Sequence, residues 1–195
     1  VRDTKRSGMT PVYERVVEMA EGAAILANVD YKVSLISGIY EVLGNRKGGE
    51  LMQKNLELLG SIKYTDEEVN FAKEIQASTG KPQLGLDSSI KPLRETLENP
   101  GGGSTDVGDV SWNVPNINLG VTTAPVDTPW HSWAVVACGG MSIGHKGTIY
   151  AAKAMAMTMS DLFKNKKLVQ EINQEYLERK GDEEYVAMID GPAPI

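Results

Sequence analysis

Two short stretches concentrate the side chains capable of chemistry: Gly-Gly-Gly-Ser-Thr-Asp-Val-Gly-Asp-Val-Ser-Trp at 101–112 and Asp-Thr-Pro-Trp-His-Ser-Trp at 127–133. A glycine-rich approach lets backbone come close to a ligand and presents free N–H groups. Asp106 and Asp109 then offer carboxylates on nearly the same side of a turn or of a first helical turn. The same spacing also fits a plain glycine loop in which Asp106 caps a helix. In the second stretch His131 lies between Trp130 and Trp133. Neutral imidazole is the commonest metal ligand, and ligands are often offered from loops that a rigid scaffold holds. The competing reading is a hydrogen-bonded structural histidine. His145, ahead of Lys146 and Gly147, reads as a cap or packing residue, because the positive end of a helix dipole tolerates a neutral imidazole but disfavours a charged one. The two histidines miss the close helical spacing of a paired zinc motif.

Other chemistries lack their parts. There is no Gly-x-Ser-x-Gly elbow, no Gly-Lys-Ser/Thr ending to the glycine run, and no Gly-x-Gly-x-x-Gly after a strand. Cys138, in an apolar run before two glycines, is expected to be buried rather than nucleophilic.

The elements that must hold these residues alternate in kind. Thr10 and Pro11 read as an N-cap and first-turn proline of a helix whose small face is Val16, Ala20, Ala23, Ala24 and Ala27. Asn28 and Asp30 break it, and the largely apolar run at 31–43 reads as a long strand. A helix and one strand cannot make a sheet, so partner strands are expected from elsewhere. A second helix carries Leu51, Met52, Asn55, Leu58 and Leu59 and ends at Gly60. Thr65 with Glu68 is a capping box opening a third helix through Phe71 and Ile75, closed by Gly80. Residues 81–103 read as a long surface excursion, of the kind that usually serves a site or an interface. The region 101–146 holds all three tryptophans and both histidines, with strand-like runs at 117–121 and 134–137. Residues 150–163 read as a helix apolar almost all round, hence buried. A last amphipathic helix uses Leu168, Ile172 and Tyr176 and stops at Gly181, before a loosely packed tail.

With 195 residues and ordinary apolar and charged fractions, the chain can bury a core in one or two domains. Its net charge of -6, with basic residues scattered among acidic ones, gives no footprint for a polyanion, so a nucleic-acid partner is not expected. The apolar run at 149–159 is interrupted by Lys153 and falls short of the roughly 20 residues that cross a bilayer, so no membrane partner is expected. One cysteine excludes an internal disulfide and points to a reducing, cytoplasmic compartment. The start at Val1, without a charged-then-apolar pattern, is compatible with processing, truncation or further upstream sequence.

Three motifs in order, at 103–112, at 128–133 and at 143–154 (Ile-Gly-His-Lys-Gly-Thr-Ile-Tyr-Ala-Ala-Lys-Ala), are specific enough to mark a family. With Gly22, Ala23, Ala24 and the Asn45-Arg46 turn, they resemble the aminobenzoyl-glutamate hydrolase group of metal-dependent amidohydrolases, of the aminoacylase and carboxypeptidase type. The resemblance implies an α/β fold: the C-terminal part of a three-layer α/β/α metal-binding catalytic domain, 44–195, preceded at 1–43 by the latter part of an inserted α/β lid or dimerisation domain. It implies hydrolysis of the amide bond of an N-acyl amino acid, with zinc or manganese as cofactor and a Glu acting as general base toward a metal-bound water. His131 matches the last metal-binding histidine of the family. Asp106, with Ser104 and Thr105, takes a substrate-binding or supporting role. The other ligands and the general-base Glu have no counterpart here, so a missing N-terminal half or partner subunit is expected, in a homo-oligomer, and the isolated chain is expected to hold metal poorly and to be inactive. Trp130 departs from the smaller residue usual in the family, which narrows the pocket or displaces His131. The alternative is a non-catalytic association module, or an inactive remnant of the family.

Overall fold

The computed structural model describes residues 1–94 and 103–189. Among these residues there are seven helices: α1 Arg6–Ala27, α2 Arg46–Leu59, α3 Asp66–Ser78, α4 Val107–Ser111, α5 Trp133–Gly139, α6 Ser142–Lys164 and α7 Lys166–Lys180. There is no strand or sheet among them, which overturns the expected α/β/α architecture. The physical reason differs from run to run. Residues 31–43 form no regular element: no described segment pairs with them, and a strand exists only through a partner. Residues 117–121 form no strand for the same reason. The valine-rich run at 134–137 is helical: Ala134 and Cys138, one turn apart, are fully buried in α5, and a short apolar run does not distinguish the two periods.

Helix boundaries follow capping chemistry where it is present. Around α3 the Thr65 hydroxyl accepts from the Glu68 N–H at 3.3 Å, and the Glu68 carboxylate accepts from the Thr65 N–H at 2.7 Å, completing the reciprocal box. Asn28 ends α1 in the left-handed conformation, and Gly181 at φ 60° ends α7. Pro11 does not start α1. The helix begins at Arg6 and Pro11 sits inside it, while the Thr10 hydroxyl donates back to the Arg6 carbonyl rather than capping. Helix α6 begins eight residues before Tyr150 and is not buried all round, since Ile149, Met155, Met159 and Phe163 are exposed.

The chain forms two compact units. The first comprises Val1–Asn45, Glu95–Asn116 and Asn173–Ile195, and the second Arg46–Arg94 and Ile117–Ile172. In the second, α2 packs on α6 and α5 on α6, and a core of Ile75, Ala134 and Cys138 is flanked by Phe71, Ala124 and Ala137. Asn55, fully buried in α2, donates to the Thr158 hydroxyl and the Asp161 carboxylate, each at 3.1 Å, which satisfies a polar group that would be costly to bury alone. Gly147 brings α6 against the backbone at Thr122. A methyl there would come 2.6 Å from the Thr122 carbonyl oxygen. No helix among the described residues is long and apolar enough to cross a membrane.

Candidate functional site

The motif at 103–112 forms α4 and the turn before it, in the first unit. Gly101 and Gly102 lie outside the described residues. The Asp106 side chain makes no capping bond. Instead the Thr105 hydroxyl accepts from the Val107 N–H at 3.3 Å, and Ser104, Thr105 and Asp106 are all exposed. The rest of the motif grips residues 40–43. Asp109 accepts from the Tyr40 N–H at 3.2 Å, the Ser111 hydroxyl accepts from the Leu43 N–H at 2.8 Å, and the Trp112 indole donates to the Glu41 carbonyl at 2.9 Å. Gly108 is required by closeness, because a methyl there would lie 1.9 Å from the Tyr40 carbonyl oxygen. Tyr40 also stacks at a tilt on Trp112 and on Tyr185, with the Arg6 guanidinium 4.9 Å above its ring. Burial, then the neighbouring Asp109 carboxylate, pushes the Tyr185 hydroxyl pKa up. Asp109, one of the two carboxylates singled out for chemistry, therefore holds backbone.

His131 belongs to the second unit, so it and Asp106 fall in different compact units. Its loop is fixed at both ends by that unit's interior. Upstream, buried Gln76 donates to the Val126 carbonyl at 2.9 Å and accepts from the Gly85 N–H at 2.7 Å, and the Val126 N–H donates to the Gly85 carbonyl at 3.0 Å. Two successive turns follow, each closed by a hydroxyl: Thr128 donates to the Pro125 carbonyl at 2.7 Å and Ser132 to the Pro129 carbonyl at 2.5 Å. Downstream, α5 is seated through Ala134 and Cys138, and burial raises the Cys138 thiol pKa, so that the thiol stays protonated and inert. His131 is exposed at the tip, with φ at 61°, and Asp127 has φ at 58°. Left-handed backbone costs a non-glycine residue on the order of 1–2 kcal/mol, so two such residues in one loop need the anchoring just described.

A metal ion is implied by the resemblance, and the residues present do not fit one unaided. Among the described residues no group of three or more His, Cys, Asp or Glu side chains is placed to hold an ion, whereas even a catalytic zinc takes about three protein ligands. His145 sits exposed in the first turn of α6, whose N-cap position is Met141, so it is neither the cap nor the packing residue its position suggested.

Sequence reasoning gave the Thr65–Glu68 box only a capping role, but the structure adds Lys146. Its ammonium donates to Glu68 at 2.7 Å and to the Lys63 carbonyl at 2.8 Å, with the Tyr64 ring 5.7 Å away. Burial pushes the Glu68 carboxyl up, but Lys146, Ser142 and the Thr65 N–H outweigh it and bring the pKa down to about 2. Burial and the Glu68 charge push Tyr64 up to about 12. Nothing in the spacing of Glu68 and Lys146 could have paired them. A groove of about 680 Å³ in the same unit runs past Met52, Leu56, Ile62, Asp87, Leu119 and Tyr150, and none of Ser104, Thr105, Asp106 or His131 lines it.

Over 90% of its length the chain is 32% identical to one subunit of the p-aminobenzoyl-glutamate hydrolase of Escherichia coli (strain K12). It is a relative of that hydrolase subunit. The match spans 42% of the relative's length. No family model matches the chain. No solved structure matches it either.

Proposed function

We infer that this chain contributes one imidazole, His131, to the active site of an amide hydrolase acting on N-acyl amino acids of the aminobenzoyl-glutamate kind. The observation that carries the reading is an exposed histidine at the tip of a doubly anchored, left-handed loop, in a chain related to a hydrolase subunit. An imidazole nitrogen there serves a divalent ion, zinc or manganese, only if further ligands come from polypeptide beyond the described residues, either additional sequence of the same protein or a partner subunit. Asp106, with Ser104 and Thr105, is exposed and open to substrate. The test is a chimera in which this chain replaces the matched 42% of the Escherichia coli subunit, assayed with the rest of that enzyme for release of 4-aminobenzoate. The chimera is expected to turn over, and H131A to lose at least about a hundredfold in rate at unchanged folding. A folded chimera whose H131A variant works as well as its parent removes His131 from the site.

A second reading, an association module, is favoured by one observation in the first unit. Leu26 of α1 is 91% exposed and Ile36 of the run at 31–43 is 87% exposed, with Met19, Ile25 and Val29 also in solvent. Apolar exposure of this extent marks an interaction surface, and homo-oligomerisation is the simplest partner arrangement.

A further inference from the structure

The chain has three tryptophans, and they are treated very differently. Trp112 is 4% exposed and hydrogen-bonded, whereas Trp130 and Trp133 are 64% and 57% exposed on either side of His131. An indole is the largest apolar surface a side chain can bury, and leaving two of them in water on one short loop forgoes that stabilisation twice. The loop is not loose. The Ser132–Pro129 bond closes the turn carrying Trp130, and α5 fixes Trp133 through Ala134 on the Ile75 core. The strained φ of His131 sets the direction of the chain between the two indoles. Aromatic side chains carried on an anchored backbone lose less chain entropy when they meet a planar ligand than the same side chains on a mobile loop.

From this geometry we propose that Trp130 and Trp133 form the recognition element for the aromatic acyl group of the substrate, gripping its ring while His131 lies beside the amide. This rests on the amide-hydrolase reading above and deepens it, by assigning the two side chains that take the acyl ring. The indoles supply stacking faces and edges for the ring, and their exposure ensures that nothing has to move out before the ring enters.

The test reads the three indole N–H resonances of the 195-residue chain during titration with N-(4-aminobenzoyl)-glutamate and, separately, N-acetyl-glutamate. W130F and W133F assign the two exposed resonances, and the Trp112 resonance reports that the fold is intact. The proposal predicts saturable shifts of the Trp130 and Trp133 signals with the aryl ligand, none at Trp112, and at least about tenfold weaker binding of the acetyl compound. W130A and W133A each weaken aryl binding about tenfold, and the phenylalanine variants restore most of it. Absent shifts, equal response to the acetyl ligand, or shifts surviving in both alanine variants would overturn it. So would exposed-indole signals that follow protein concentration instead of ligand, which would give the surface to a second copy of the chain. Because the readout is binding without turnover, a chimera that fails to hydrolyse leaves this result standing, and a failure here leaves the His131 assay unaffected.

Discussion

The buried Glu68 carboxylate is a strongly perturbed acid whose contacts give the sign and size of a stability effect. It is buried, accepts from Lys146 at 2.7 Å and from the Thr65 N–H at 2.7 Å, and its pKa falls from an ordinary 4.5 to about 2. A folded pKa below the unfolded one means stability that is fully present above pH 4.5 and lost as pH falls from there through 2. Taken at face value the shift would be worth roughly 3 kcal/mol, at about 1.36 kcal/mol per unit. Lys146 is about one-third exposed, with 35% of its side chain accessible, so water screens part of that. About 2 kcal/mol is the figure expected for hydrogen bonds to a buried charged group. E68Q keeps the side-chain shape and a capping oxygen but removes the charge. Its melting temperature at pH 7, followed by far-ultraviolet circular dichroism, should fall by roughly 4–8 °C for a chain of this size. Between pH 4.5 and 2 the parent should lose stability and the variant should lose less, so the two melting curves converge. Equal melting temperatures at pH 7, or parallel acid sensitivity, would refute the reasoning.

Two further substitutions probe the two units separately. G108A should lower the urea midpoint by the equivalent of about 1–3 kcal/mol, the usual cost of overpacking, because the new methyl meets the Tyr40 carbonyl, and the emission of Trp112 should report the loosened grip on residues 40–43. N55A should cost about 1–3 kcal/mol by thermal melting, since it removes the amide between Thr158 and Asp161 and leaves a buried hydroxyl short of a partner.

What the residues disclosed in advance is local. The capping box at Thr65, the stop at Asn28 and the glycine end of α7 each depend on side chains within a few positions of one another, and all are found; the expected burial of Cys138 is found too, against Ile75. The expected strands failed for the opposite reason. Alternation at 31–43 suits a half-buried strand, but pairing is a property of a second segment, and none of the described residues provides it. The run at 134–137 shows the ambiguity of short apolar stretches, which burial of Ala134 and Cys138 resolves in favour of a helix. At the candidate site the motif at 103–112 announced its importance without its use. Asp109, Ser111 and Trp112 hold the backbone of 40–43, a role set by residues some 70 positions away. The exposure of His131 and its two indoles likewise depends on Gln76 and Ile75, which no spacing rule connects to them.

Metal content measures the central claim most directly. The chimera and its H131A variant would be dialysed against metal-free buffer and analysed for bound zinc and manganese, with circular dichroism confirming equal folding. If His131 is one of the ion's ligands, the parent keeps its metal and the variant retains less than about a tenth as much. Equal metal in both proteins would mean that the exposed imidazole serves no ion.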